Sequence, residues 1–161
     1  MILINDTNIW IDLKHVNLVE EVFKLPFEIG VPDILFNEEL MDRDGELLLK
    51  NNLNIIEMTP EELLETGELL NSTTGVSFND LTTLVISANR NYTLVTGDGN
   101  LRKIALSKNV NLRGSIWILD QLVENNIISK PRGVKACKDF LSGGRRLPIG
   151  ELKKRIEIWK D

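Results

Sequence analysis

The N-terminus constrains this chain most. Met1-Ile2-Leu3-Ile4-Asn5 is an apolar run of strand length that stops on Asp6, and Thr7-Asn8 then lead into Ile9, Trp10, Ile11 and Leu13 at the spacing of a short helix. A strand that feeds a helix in this way opens a βα unit, and repeated units of that kind build a parallel sheet sandwiched between helices. In such open sheets, ligands bind beyond the carboxyl ends of the strands. Asp6 therefore stands where the chemistry of a site would be done.

The pattern recurs along the chain. Leu18, Val19, Val22 and Phe23 suggest a second helix closing near Pro26, and Glu28 to Val31 reads as a short strand stopped by Pro32. A helix from Asp33 carries Ile34, Leu35 and Glu38-Glu39-Leu40; Asp42 to Gly45 reads as a turn, Glu46 to Lys50 as a brief helix and Leu53 to Glu57 as a strand. Thr59-Pro60-Glu61-Glu62 has the N-cap, the N1 proline and the N3 glutamate of a strong helix start. A second start at Ser77-Phe78-Asn79-Asp80 precedes the stripe Leu81, Leu84, Val85 and Ala88. Tyr92 to Thr96 is a β-branched strand that stops on Gly97-Asp98-Gly99-Asn100; a helix with Leu101, Ile104 and Ala105, a short strand Val110 to Leu112 and a helix past Gly114 follow. Beyond residue 129 the pattern is helical, with Pro131 and Pro148 opening the two segments. The expectation is one α/β domain with a mostly parallel sheet of four or five strands, formed by residues 1–128, and a helical C-terminal extension, residues 129–161, of the same domain.

No apolar run approaches the roughly 20 residues that span a bilayer, and the N-terminus lacks the basic flank of a signal peptide, so a cytoplasmic protein without membrane contact is expected. The single cysteine, Cys137, excludes an internal disulfide and a CxxC-type zinc site, and reads as a small core residue. His15, the only histidine, reads as a surface residue after the first helix. Charge is divided unevenly: residues 1–128 hold 9 Lys/Arg against 20 Asp/Glu, and residues 129–161 hold 10 against 4. A basic tail on an acidic body either contacts nucleic acid or packs on that body.

Four acidic positions fall where βα units would present them: Asp6 after the first strand, Glu38 or Glu39 on the helix after the second, Asp80 in the first turn of its helix and Asp98 after the strand from Tyr92. No lysine or arginine lies within three residues of Asp6 or Asp80. Carboxylates gathered without cationic partners repel one another unless a cation is bound, and all-oxygen donors suit Mg²⁺ or Mn²⁺. Each acid also has a local explanation. Asp80 can close a capping box with Ser77, Asp98 can serve its turn, Asp6 can cap the next helix, and Glu38 and Glu39 can be the solvated face of theirs.

In the order Asp6-Thr7-Asn8, Val31-Pro32 leading to Glu39-Leu40, Asp80 with the helix Leu81 to Asn91, and Leu94-Val95-Thr96-Gly97-Asp98, the chain resembles the PIN domain of metal-dependent ribonucleases, and within it the VapC-type toxins, over roughly residues 1–125. The resemblance implies a three-layer α/β/α fold, Mg²⁺ or Mn²⁺ at the acidic cluster, hydrolysis of RNA phosphodiesters, a small antitoxin partner and a homodimer, with Trp10 and Phe23 among the apolar positions suited to contact. Burial of the first helices explains Trp10 and Phe23 equally well. The resemblance implies catalytic roles for Asp6, Glu39, Asp80 and Asp98, with the metal on Asp6, Asp80 and Asp98. Glu39 is preferred to Glu38 because it directly precedes a leucine. Asn8 would hydrogen-bond to Asp6. Asn100 stands where many members carry a second acid, as a neutral oxygen donor. Attraction for RNA would come from Arg102, Lys103, Arg145 and Arg146. Two other readings compete: a PIN-like module that binds RNA or protein without cleaving, and a receiver-type domain, which would require a lysine on a late strand that this chain lacks.

Overall fold

The computed structural model describes residues 1–160. Its sheet has five strands, β1 (Ile2–Asn5), β2 (Glu28–Pro32), β3 (Asn54–Ile56), β4 (Thr93–Val95) and β5 (Asn111–Arg113), in the order β3-β2-β1-β4-β5 with every pairing parallel. The expected α/β architecture is therefore observed. β1 takes the centre because both of its faces are apolar: Leu3 and Ile4 are fully buried, on opposite sides. Asn5 pairs with Val95, and the Asp6 N–H donates to the Val95 carbonyl at 3.2 Å, so β1 and β4 end level and deliver their loops to the same rim.

On one face, Leu3, Ile29, Val31 and Val95 pack under α1 (Thr7–His15), α2 (Val19–Val22) and α8 (Ser115–Glu124) through Ile9, Trp10, Leu13, Val22, Ile118 and Leu122. On the other, Ile4 meets Ile56, Met58 and Ile86, and Leu94 meets Leu81, Leu84, Leu101 and Ala105, beneath α5 (Pro60–Ser72), α6 (Phe78–Arg90) and α7 (Gly99–Ser107). Helix, sheet and helix make three layers. No helix among the described residues is long and apolar enough to cross a membrane.

The connection after β2 departs from expectation. Between α3 (Asp33–Leu35) and α4 (Met41–Lys50) the chain winds through a π-helical turn, Phe36–Leu40, and the expected turn at Asp42 to Gly45 lies inside α4. Its turn chemistry survives as a kink. Asp44 has φ −115° and ψ 18°, outside the helical region, and its carboxylate is held by Lys14 Nζ at 3.0 Å.

α9 (Lys130–Ser142) and α10 (Ile149–Trp159) send Ala136, Cys137, Phe140, Leu152 and Trp159 into the same core as Leu3. They fit closely because residue 133 is glycine: a Cβ there would lie 2.9 Å from Val123 Cγ2 and 3.0 Å from Trp159 Cε3. Burial pushes the Cys137 thiol up to about 11, which suits a core residue and not a nucleophile. His15 is exposed at the end of α1, its Nε2 3.0 Å from the Asp139 carbonyl oxygen. Trp10 is only 2% exposed and stacks on Phe23 at 5.6 Å, so of the two uses open to it, contact surface and helix burial, its ring has the second.

Five asparagines, Asn17, Asn52, Asn91, Asn109 and Asn126, adopt left-handed backbone with φ between 56° and 66°. After each, an apolar or aromatic residue (Leu18, Leu53, Tyr92, Val110, Ile127) donates its N–H to the carbonyl five residues back, the 6→1 bond of a Schellman motif. These helices stop locally. Asparagine tolerates the left-handed region that most side chains avoid, so the stop needs no help from distant packing.

Candidate active site

Asp6 is the buried member of the acidic group, 2% exposed. It caps α1, its Oδ1 accepting from the Ile9 N–H at 3.0 Å, and its Oδ2 accepts from the Thr96 hydroxyl across the sheet. No cation among the described residues compensates it, and burial is the dominant influence: it pushes the carboxyl up to about 7 against the pull of the Thr96 and Ile9 hydrogen bonds, and the nearby charges of Asp80 and Asp12 push the same way as burial.

The other acids are held by short local bonds and by contacts with residues that sequence reasoning did not single out. Asp98 caps α7, its Oδ1 accepting from Leu101 N–H at 2.9 Å, while its own N–H donates to Thr96 Oγ1 at 3.1 Å. Thr96 therefore ties Asp6 to the backbone of Asp98. Asp80 closes the expected capping box with Ser77. The Glu38/Glu39 doublet on the π-helical turn splits. Glu39 Oε1 accepts from Thr7 Oγ1 at 3.1 Å, next in sequence to Asp6, and Glu38 Oε2 accepts from Asn79 Nδ2 at 2.8 Å, next to Asp80. π-helical turns occur disproportionately at functional sites.

One supporting contact is corrected, and one neutral side chain is placed. Asn8 is exposed and makes no hydrogen bond to Asp6, whose oxygens are taken by Ile9 and Thr96. Asn100 turns its amide to the Gly75 carbonyl at 3.2 Å, bracing the loop before α6. Both nonetheless line a cavity of about 530 Å³ that opens at Asp98, walled on its other side by Arg145, Arg146 and Leu147.

The tail's charges are divided between two uses. Arg145 Nε bonds Asp12 Oδ1 at 2.6 Å, and Asp12, 5% exposed, also accepts from Ser115 Oγ at 2.8 Å. Arg155 binds Asp120 and Glu151, and Arg132 the Val16 carbonyl. Arg145 is therefore engaged by the body, whereas Arg146 and Lys103 are exposed and form no ion pair among the described residues. Arg102 Nη1 donates to the Thr96 carbonyl at 3.0 Å. Asp12 was missed, although an acid between Ile11 and Leu13 of an apolar helix was its signal. Replacing Arg145 by alanine leaves a buried carboxylate with only Ser115 as partner. We expect it to cost about 2 kcal/mol in urea unfolding, with a loss under 0.5 kcal/mol counting against the pairing.

The donor set suits a hard divalent cation: carboxylate oxygens, one of them buried and uncompensated, with no histidine or cysteine. Among the described residues, no three such side chains draw close enough to enclose an ion, so the acids form an open rim.

A family model described as DUF3368, PIN domain, matches residues 2–161. A solved structure described as VapBC2 from Rickettsia felis bound to a DNA fragment from their promoter is similar to 71% of this chain and 98% of the matched one, with TM-score 0.51 and 22% identity, a likeness of fold. No curated protein matches.

Proposed function

The chain belongs to the PIN-domain family, and from that premise we propose that it is a metal-dependent endoribonuclease, the toxin of a toxin-antitoxin pair. The observation that carries the reading is Asp6, a buried carboxylate without a cationic partner at a rim shared with Asp80, Asp98 and Glu39. Mg²⁺ or Mn²⁺ would be held by Asp6, Asp80 and Asp98, with Glu39 beside them. Such an ion, when bound, polarises a phosphate and lowers the pKa of a water for in-line attack.

The chain's own groups prepare the rim. Thr96 fixes Asp6 and the Asp98 backbone together, Thr7 holds Glu39, and the helix starts of α6 and α7 fix Asp80 and Asp98 through their capping bonds. Arg102, Lys103 and Arg146 supply positive charge against the polyanion's repulsion from the acids. A small antitoxin partner is inferred from the VapBC2 likeness; a homodimer and a cytoplasmic site of action complete the proposal.

A PIN-like module that binds without cleaving is the second reading, and the open spacing of the acids favours it. Single-stranded RNA incubated with the purified protein decides between them. Cleavage with Mn²⁺ that stops in EDTA is expected; RNA that is bound but stays intact at every metal concentration overturns the nuclease.

A further inference from the structure

A second cavity, of about 370 Å³, adjoins the one that opens at Asp98 and shares Gly97, Arg146 and Leu147 with it. Its size falls within the roughly 300–1,000 Å³ of small-ligand pockets. Its character is different. Ile116, Trp117, Leu147 and Pro148 give it apolar walls, and Arg102 and Arg146 contribute positive charge. At its far end Arg155 is neutralised by Asp120 and Glu151. Trp117 is held in place by stacking on Phe27 at 5.8 Å and by the Arg113 guanidinium, 5.5 Å from its ring centroid. α8 and its N-cap form one wall of this pocket, α10 and the loop leading into it another, and Thr96, Gly97 and Arg102 the rest.

We propose that this pocket receives the nucleobase of the RNA nucleotide beside the scissile phosphate, so that the C-terminal extension reads the substrate. The inference rests on the nuclease reading for its orientation. A phosphate at the Asp98 rim puts the next nucleotide within reach of Gly97 and Leu147, where the two cavities meet. A base has apolar faces that gain from leaving water against aliphatic and aromatic side chains, while the phosphates on either side meet Arg102 and Arg146. The asymmetry of the two cavities matches the asymmetry of a nucleotide, the polar cavity at Asp98 for the phosphate and the apolar pocket for the base.

The test uses the whole chain and separates this inference from catalysis. In ¹H–¹⁵N spectra the protein is titrated with AMP, GMP, CMP and UMP in turn, and with ribose 5-phosphate, all in EDTA. The amides of Gly97, Gly114 and Trp117 and the Trp117 indole N–H should shift saturably, and at least one mononucleotide should bind about fivefold or more tightly than ribose 5-phosphate. Gly114 lines the pocket with extended backbone (φ −134°) open to any residue, and a Cβ there meets nothing nearer than 3.9 Å, so Gly114→Leu adds bulk at the pocket wall with room for its Cβ. It should remove the base-dependent binding while Asp98→Asn retains it. Leu147→Ala, which strips one wall, should weaken it and serves if Gly114→Leu does not fold.

Binding of ribose 5-phosphate as tight as that of all four nucleotides overturns the proposal, as does undiminished nucleotide binding in both pocket variants. A bound mononucleotide that short single-stranded RNA fails to displace makes the pocket a free-nucleotide site and overturns it too. Base-dependent binding that RNA displaces, together with no cleavage under any condition, upholds the pocket and sinks only the nuclease.

Discussion

In EDTA, the protein is expected to lose about 4 kcal/mol of stability through Asp6 alone as pH rises from 4 to 8. The sign follows from the direction of the shift. The folded state holds the Asp6 proton up to about pH 7, whereas the unfolded chain releases it near 3.8. Below 3.8 both states are protonated and the contribution is whole. Between the two values folding binds a proton, and each pH unit removes about 1.4 kcal/mol; above 7 nothing more is lost. Glu62, held below its usual range by the Arg90 hydrogen bond, acts in the opposite sense and lower on the scale, so the quantity to measure is the difference between wild type and Asp6→Asn in urea unfolding. Asparagine keeps the acceptor for Ile9 and removes the charge. The variant should match wild type near pH 4 and exceed it by several kcal/mol near pH 8, and Mn²⁺ should raise wild type alone. A difference that stays flat across this range would show that Asp6 is not a destabilised carboxylate.

Asp98→Asn and Asp80→Asn should reduce RNA cleavage by about a hundredfold or more while changing stability by no more than about 1 kcal/mol. Both side chains cap helices, and asparagine is about as good a cap as aspartate, so a purely structural role predicts little change in anything. Ser77→Ala is the crossed control. It removes the hydroxyl that accepts from the Asp80 N–H but leaves the Asp80 carboxylate, so it should cost about 1 kcal/mol and leave cleavage within a few-fold. Activity in either aspartate variant within tenfold of wild type, with Ser77→Ala equally active, returns these acids to helix capping.

The strand-end acids were legible because apolar runs stop abruptly at Asp6 and just before Asp98, and parallel pairing turns such stops into neighbours across a rim. The capping boxes at Thr59 and Ser77 were legible because their partners lie three residues apart. What escaped depends on distance along the chain. Thr96 meets Asp6 across 90 residues and Arg145 meets Asp12 across 133, and neither a threonine nor an arginine announces its partner. The π-helical turn escaped because its residues are ordinary helix formers, and only the fold makes Glu38 and Glu39 face different neighbours. For the tail, composition left two uses open, and the structure commits Arg145 and Arg155 to the body.

The position of β1 has a consequence in time. The central strand precedes the other four in the chain, yet its neighbour β4 begins at Thr93, and Asp98 is added 92 residues after Asp6. At 5–20 residues per second, roughly 5–20 s separate the two acids during translation. Throughout that interval β1 has only β2 and its helices for company, and one of its edges is unpaired. Asp6 and Asp98 cannot share a rim on a nascent chain until most of the body has been made, so on the nuclease proposal the substrate is safe from the protein during its synthesis.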